Sequence, residues 1–162
     1  MIGPMSTPTE LVRLRPEHVE AVSAMFEDIA ADRTAHRFHP HAFDHDNAIR
    51  VCSGAGSDLY FGLWVRGKPC GYGMLRGWDE GFDVPSLGIW VSPELRGTGA
   101  AKALMSFLHL AARLSGSTRI RLKVHPDNPR AITLYRSFGY RFSERLESDG
   151  QMLGMLDLQP GQ

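Results

Sequence analysis

A glycine-containing loop between a buried strand and an amphipathic helix constrains this 162-residue chain more than any other feature. The segment "SLGIWV" (86–91) is apolar enough for a buried strand, and from Gly99 onward leucine and alanine recur at helical spacing. Gly97 and Gly99 leave the backbone amides between these two elements uncovered by side chains. Because these amides lie at a helix start, the loop can bind an anion such as phosphate, with Arg96 as an additional cationic contact.

The loop does not match either common nucleotide-binding motif. The Walker pattern needs glycine before the lysine and Ser or Thr after it, but Ala101 and Ala103 flank Lys102. The dinucleotide fingerprint needs a third glycine, and Lys102 occupies that position. Taken alone, the loop leaves two alternatives, an anion site or a structural turn before an ordinary helix.

The remaining pattern predicts a single domain of the mixed α/β class over residues 10–160, after a disordered tail at 1–9. Strands and helices are predicted from periodicity and from turn signals. The last helix has clear ends, since Asn128 can cap it, Pro129 suits its first turn and Gly139 can close it. The predicted strands are 10–15, 58–65, 69–78, 86–91, 119–124 and a C-terminal hairpin, and the helices are 16–32, 44–52, 99 to about 114 and 128–138.

Charge and cysteine usage exclude several classes of partner. Lys plus Arg and Asp plus Glu both total 18, so no net positive field attracts nucleic acid or an acidic membrane. No apolar run approaches the roughly 20 residues of a membrane span, and the N-terminal residues lack signal-peptide features. Cys52 and Cys70 are far apart, which favours a reducing cytoplasm over a disulfide framework. We therefore expect a cytoplasmic protein.

A histidine-rich connection after the first helix invites a zinc hypothesis. Metal sites usually need ligands on rigid elements at suitable spacing, and the pattern here is weak. We expect no metal. The residues concerned are His36, His39, His41, His45, Asp44 and Asp46.

Two motifs together resemble the GCN5-related N-acetyltransferase (GNAT) superfamily. The family signature Arg/Gln-x-x-Gly-x-Gly/Ala is matched by "RGTGAA" at 96–101. The later pattern Asn-x-x-Ala-x-x-Leu-Tyr-x-x-x-Gly-Phe is matched by "NPRAITLYRSFGY" at 128–140, with Tyr140 at the last position. The resemblance implies a mixed, mostly antiparallel sheet flanked by helices, in which two central strands splay apart.

The resemblance also implies acetyl-CoA as the co-substrate. Its pantetheine arm would lie between the strands at 88–91 and 120–124. Ile89 and Val91 would bond to this arm through their backbone, and one of these amides would polarise the thioester carbonyl. Asn128 would contact the arm or order the local backbone. The pyrophosphate would lie on the amides of Arg96, Gly97, Thr98, Gly99, Ala100 and Ala101.

The chemistry requires one group that accepts a proton and one that donates it. An amine with an ordinary pKa of about 10.4 must lose a proton before it attacks a thioester, and the departing thiolate can gain one. Tyr135 matches the family's tyrosine and is the candidate acid, although a core tyrosine is the alternative. Many relatives carry a glutamate near the start of the strand at 86–91. This chain does not, so Asp83 and His125 are the candidate bases.

The expected function is acetyl-CoA-dependent N-acetylation of a primary amine on a small molecule, such as an amino sugar. A protein N-terminus or lysine is the alternative acceptor, because the segment from 121 to 140 also resembles the ribosomal-protein N-terminal acetyltransferases. A catalytically silent CoA-binding sensor is the alternative of another class. Family habit alone implies a homodimer.

Overall fold

The computed structural model describes residues 8–32 and 37–158. Within these ranges, seven strands form one sheet that α-helices cover on both faces. The strands are β1 (Thr9–Arg13), β2 (Leu59–Val65), β3 (Lys68–Arg76), β4 (Ser86–Val91), β5 (Arg119–Val124), β6 (Arg141–Phe142) and β7 (Met152–Asp157). The helices are α1 (Val19–Ala31), α2 (His45–Cys52), α3 (Ala100–Leu114) and α4 (Pro129–Ser137).

The sheet confirms the predicted mixed and mostly antiparallel α/β class. Its order is β1-β2-β3-β4-β5-β7-β6, so β7 lies between β5 and β6. The β4–β5 pair is the parallel one, and its register consists of the single pair Ser86 and Arg121. The amide of Arg121 donates to the carbonyl of Pro85 at 3.0 Å, and no further β4–β5 pairing follows. The two central strands are therefore splayed beyond Ser86, as the family resemblance implied.

Two apolar clusters hold the helices on the sheet. Helices α1 and α2 cover one face with residues at helical spacing, which the periodicity of the sequence predicted. Helix α3 covers the other face, and the side chains of α4 pack at its edge. The α1 side includes Val22, Phe26, Ile29, Tyr72, Met74 and Trp90, and the α3 side includes Leu75, Leu104, Leu108, Ile120 and Leu122.

Several predicted boundaries need small corrections. The helix predicted from 16 begins with a 3-10 turn at Pro16–His18, in which the amide of Arg15 donates to Nδ1 of His18. The strand predicted over 69–78 ends at Arg76, because Gly77 adopts a φ of 118° that leaves the extended conformation. The strand predicted over 10–15 is Thr9–Arg13.

The ends of the chain and one internal segment lie outside the described residues. These are residues 1–7, 33–36 and 159–162. The tail was expected to extend to residue 9, but Thr9 already belongs to β1, and the expectation for residues 1–7 remains a prediction. His36 is among the residues that are not described. In the part of the chain that the structure describes, no helix is both long and apolar enough to cross a membrane.

Candidate active site

A cavity of about 870 Å³ follows the gap between the splayed strands β4 and β5. At one end, it is bounded by the glycine loop after β4 and by the first turns of α3 and α4. The rest of the cavity is lined by residues 37–40, by the β3–β4 connection and by residues 149 and 151. The feature that the sequence singled out first and the splay that the resemblance implied thus contribute to the same cavity.

The glycine loop presents unpaired backbone amides to this cavity. Gly97, Gly99, Ala101 and Lys102 line it, and their N–H groups make no hydrogen bond to another described residue. The two glycines have φ values of 81° and 91°, a left-handed conformation that glycine adopts without steric strain. A Cβ added at either glycine would have no atom within 4 Å, so the space above the loop is open. Free amides at a helix start are suited to bind an anion, so the predicted role of this loop is compatible with its geometry.

Thr98 and Ala100 differ from the other residues of the predicted cradle. The amide of Thr98 donates to the carbonyl of Leu95 at 3.3 Å, and the amide of Ala100 donates to Oγ1 of Thr98 at 3.4 Å. Neither residue lines the cavity. These two hydrogen bonds close the loop and leave the amides of Gly97, Gly99, Ala101 and Lys102 free.

Arg96 is held by a partner that the sequence analysis did not identify. Its guanidinium pairs with Asp32, just after α1, and its Nε donates to the carbonyl of Val91 at 3.2 Å. The same carboxylate accepts from Nε1 of Trp90 at 2.9 Å, and the Asp32 side chain is only 4% exposed. The Arg96 side chain therefore links the glycine loop to α1 and β4. Residues so distant in the chain leave no local sequence signal of this contact.

The backbone of β4 presents its free amides to the gap. The amide of Ser92 points to β3, because it donates to the carbonyl of Cys70 at 2.9 Å. N–H directions alternate along a strand, so the amides of Val91 and Ile89 point the opposite way, toward β5. Because β5 does not pair with β4 there, these two amides face the gap, and their hydrogen bonds to a pantetheine arm stay a prediction.

Helix α4 brings Asn128 and Tyr135 to the same cavity. The Asn128 side chain caps the helix by accepting from the amide of Ala131 at 3.3 Å, which confirms its predicted capping role. Tyr135 is half-buried, and its hydroxyl makes no hydrogen bond to another described residue. Burial raises the pKa of Tyr135 to about 12, so this phenol keeps its proton at neutral pH.

The two candidate bases occupy different positions. His125 follows β5, is half-buried and lines the cavity. Asp83 is exposed and is not among the lining residues, whereas Glu80, in a 3-10 turn of the same connection, does line it. Both assignments stay predictions, and His125 is the better placed of the two.

The described histidines of the histidine-rich connection differ in their contacts and burial. Nε2 of His41 lies 2.8 Å from the buried hydroxyl of Tyr72, and burial lowers the pKa of His41 to about 4. His45 contacts the hydroxyl of Ser23 at 3.3 Å, while His39 is exposed at the rim of the cavity. Across residues 8–32 and 37–158, no group of three or more His, Cys, Asp or Glu side chains has an arrangement that could hold a metal ion.

Comparison with known proteins places this architecture among acetyltransferases. The model described as "Acetyltransferase (GNAT) family" matches residues 22–140. A spermine/spermidine N(1)-acetyltransferase from Bacillus subtilis (strain 168) is 27% identical over 125 residues, which cover 68% of this chain and 80% of that protein.

Solved structures share the fold at low identity. The GNAT domain of S. lividans PAT has a TM-score of 0.80 and 17% identity, over 93% of this chain and 90% of that chain. The putative acetyltransferase yncA from Salmonella typhimurium, solved with acetyl-CoA, has a TM-score of 0.77 and 18% identity, over 96% of both chains. Both matches extend over nearly the whole of each chain, so the fold is shared throughout and not only around the glycine loop.

Proposed function

Because this chain belongs to the acetyltransferase (GNAT) family, we propose that it transfers the acetyl group of acetyl-CoA to the primary amine of a small molecule. One observation carries the proposal. Four free amides, in the glycine loop and the first turn of α3, lead directly into the gap where β4 and β5 do not pair. The amides suit a pyrophosphate, and the gap suits an extended arm that ends in a thioester.

The residues at the gap supply the electrostatic part of the reaction. When bound, acetyl-CoA supplies an activated acyl group. An amide of β4, from Ile89 or Val91, would donate to the thioester carbonyl and stabilise the negative charge that develops on its oxygen as the amine attacks. The fixed strand holds this donor in place before reaction, which lowers the reorganisation cost of the step.

Two side chains would complete the transfer of protons. The protonated amine would first lose one proton to His125, directly or through one water, and its nitrogen would then attack the acyl carbon. The nitrogen of the tetrahedral adduct loses its second proton to solvent, and His125 also releases its proton to solvent before the next turnover. The carbon–sulfur bond then breaks, and Tyr135 donates its proton to the leaving thiolate. Its pKa of about 12 means that the phenol still carries its proton at neutral pH when the thiolate leaves. Solvent returns the proton to Tyr135 afterwards.

The alternatives concern the acceptor and the presence of catalysis. A relative named as a polyamine acetyltransferase supports a small amine, and an amino sugar remains within the same class. A protein N-terminus or lysine would have to reach the same gap from outside. A catalytically silent sensor would bind acetyl-CoA and leave it intact.

A parallel screen separates these functions. Purified protein is incubated with acetyl-CoA and either small amines or peptides, and free CoA thiol is measured. Turnover with small amines and not with peptides is expected. Turnover with peptides alone would overturn the small-molecule assignment. Tight binding of acetyl-CoA with no thiol release from any amine would overturn the enzyme assignment in favour of the sensor.

A further inference from the structure

The cavity lining is strongly cationic. Among the described residues that line it, seven are Arg or Lys and two are Asp or Glu. Arg96, Lys102 and Arg130 lie in the glycine loop and in the first turns of α3 and α4, where positive charge suits the phosphates of CoA. Four more line other parts of the cavity and need a separate explanation. These four are Arg37, Arg76, Arg121 and Lys123.

Two of these four cations have carboxylate partners and two do not. Lys123 pairs with Asp149 at 3.1 Å, and Arg37 lies 3.7 Å from a carboxylate oxygen of Asp127. The Arg76 guanidinium donates to the carbonyl of Pro40, which carries no full charge. Among the described residues, Arg76 has no ion pair.

Arg121 has still fewer contacts. Its guanidinium makes no hydrogen bond or ion pair to any described residue, and its Nε is buried without a partner. A buried, unpaired donor on a charged group is costly in a folded protein unless a ligand satisfies it. The side chain lines the cavity, so an anion bound there could supply the missing acceptor.

The sheet register places both arginines beside one serine. Arg76 on β3 pairs with Ser86 on β4, and Ser86 pairs with Arg121 on β5. Paired residues on neighbouring strands project from the same face, and the strands are about 4.8 Å apart. The Cα atoms of the two arginines are therefore about 10 Å apart, with the serine hydroxyl between them. Two guanidinium side chains at this spacing can reach one oxyanion above Ser86.

The row formed by Arg76, Ser86 and Arg121 lies away from the glycine loop. Ser86 precedes Val91 by five residues of extended strand, which corresponds to about 17 Å. The pyrophosphate at residues 97–102 is therefore out of reach of Arg76 and Arg121. We propose, as an extension of the proposed function, that the acceptor is an amine that also carries a carboxylate or phosphate group, and that Arg76, Ser86 and Arg121 bind this anionic group.

The same charges oppose a polycationic acceptor. Nearby guanidinium groups destabilise an ammonium ion, so they favour the uncharged amine that attacks. A polyamine needs carboxylates along its binding site. Here Asp149 already accepts from Lys123 and Gln151, and Glu80 is the remaining acid of the described lining.

Matched acceptors test the proposal directly. The panel holds phenylalanine, phenylalaninamide and phenethylamine, then glucosamine 6-phosphate and glucosamine, and finally spermidine. The kcat/KM of each is measured by CoA release with the full chain and corrected for the fraction of uncharged amine. In at least one pair, we expect the kcat/KM of the anionic acceptor to exceed that of its neutral counterpart by about tenfold or more. The carboxylate and phosphate pairs distinguish the two sources of negative charge.

Two variants assign the preference to its residues. In Arg121→Gln, the advantage of the anionic acceptor should shrink to about threefold or less. Arg119→Gln is the matched control on the same strand, because Arg119 is exposed, lies 3.5 Å from Asp157 and does not line the cavity. It should keep the full preference.

Three outcomes would overturn the proposal. The kcat/KM of spermidine or of the neutral amines could equal that of the anionic acceptors, or Arg121→Gln could leave the preference for anionic acceptors intact. Either result would contradict the anion site while the acetyltransferase function stands. Absence of thiol release with every amine, despite binding of acetyl-CoA, would instead refute the proposed function, and this inference would fail with it.

Discussion

Two tyrosines near α4, five residues apart, differ in what their hydroxyls contact. The Tyr135 hydroxyl has no hydrogen-bond partner among the described residues, and the residue lines the cavity. The Tyr140 hydroxyl lies 2.8 Å from Nε2 of His109, and both of these residues are buried. Burial raises the pKa of both phenols. A partner-free phenol at a cavity is suited to donate a proton, whereas a paired phenol in the core contributes stability.

Replacing Tyr135 with Phe tests the acid role. Tyr135→Phe should lower kcat by about 100-fold, the usual scale of a lost general acid, while the Kd for acetyl-CoA changes by less than about twofold. The readouts are steady-state thiol release and calorimetric titration. An unchanged kcat would remove Tyr135 from the mechanism.

Tyr140→Phe is the matched control for this test. It removes a hydroxyl of the same kind from a position with no access to the cavity, and it leaves His109 without its partner. We expect the free energy of unfolding to fall by about 1 to 3 kcal/mol and kcat to remain near wild type. Loss of activity equal to that of Tyr135→Phe would show that both substitutions act through the fold.

At the scale of elements, the glycine loop and α1 act as one unit. Asp32 receives the Arg96 guanidinium from the loop and the indole N–H of Trp90 from β4. The Asp32 carboxylate, directly after α1, therefore connects α1, β4 and the glycine loop. An ordered loop binds more tightly, because less conformational entropy is lost on binding.

Substituting Asp32 with Asn tests this connection. Asparagine retains an acceptor for Trp90 but loses the charge that holds Arg96. The Kd for acetyl-CoA should rise by about threefold or more through a less ordered loop, and the free energy of unfolding should fall by about 1 to 3 kcal/mol. Titration calorimetry and urea unfolding measure the two effects. Asp28→Asn, at an exposed position of α1, is the control, and equal affinity in all three proteins would refute the connection.

The elements themselves were largely predictable, but the contacts between distant ones were not. Strands β4 and β5 and the caps of α4 follow from local pattern, because apolar runs, Asn128 and Gly139 act over a few residues. The pairing of Asp32 with Arg96 depends on the packing of α1. The row of Arg76, Ser86 and Arg121 depends on strand order and register, which periodicity does not determine.

At the scale of the whole molecule, two buried histidines make stability depend on pH. Burial lowers the pKa of both His41 and His109 from 6.5 to about 4. Between these values, the unfolded chain binds more protons than the folded one, so acidification favours unfolding. The stabilising contribution is present above the unfolded pKa of 6.5 and is lost as the pH falls through 4.

Urea unfolding at pH 7, 6 and 5 measures this dependence. The free energy of unfolding should decrease at each step, because both histidines must remain neutral in the folded state. The slope should be smaller in His109→Asn, while His39→Asn, at an exposed rim position, should keep the wild-type slope. Equal stability at pH 7 and pH 5 would contradict the assignment of both side chains as buried and neutral.

The most direct test of the central claim is a calorimetric titration with acetyl-CoA of wild type, Gly99→Glu and Gly116→Glu. Gly99 and Gly116 have similar φ values of 91° and 88°, and a Cβ would meet no atom within 4 Å at either. The two substitutions therefore cause similar backbone strain, but only Gly99→Glu would place a carboxylate at the free amides. The predicted result is saturable binding by wild type and Gly116→Glu, and its loss in Gly99→Glu. Absence of binding to wild type, or equal binding by all three proteins, would contradict the assignment of this loop as the coenzyme site.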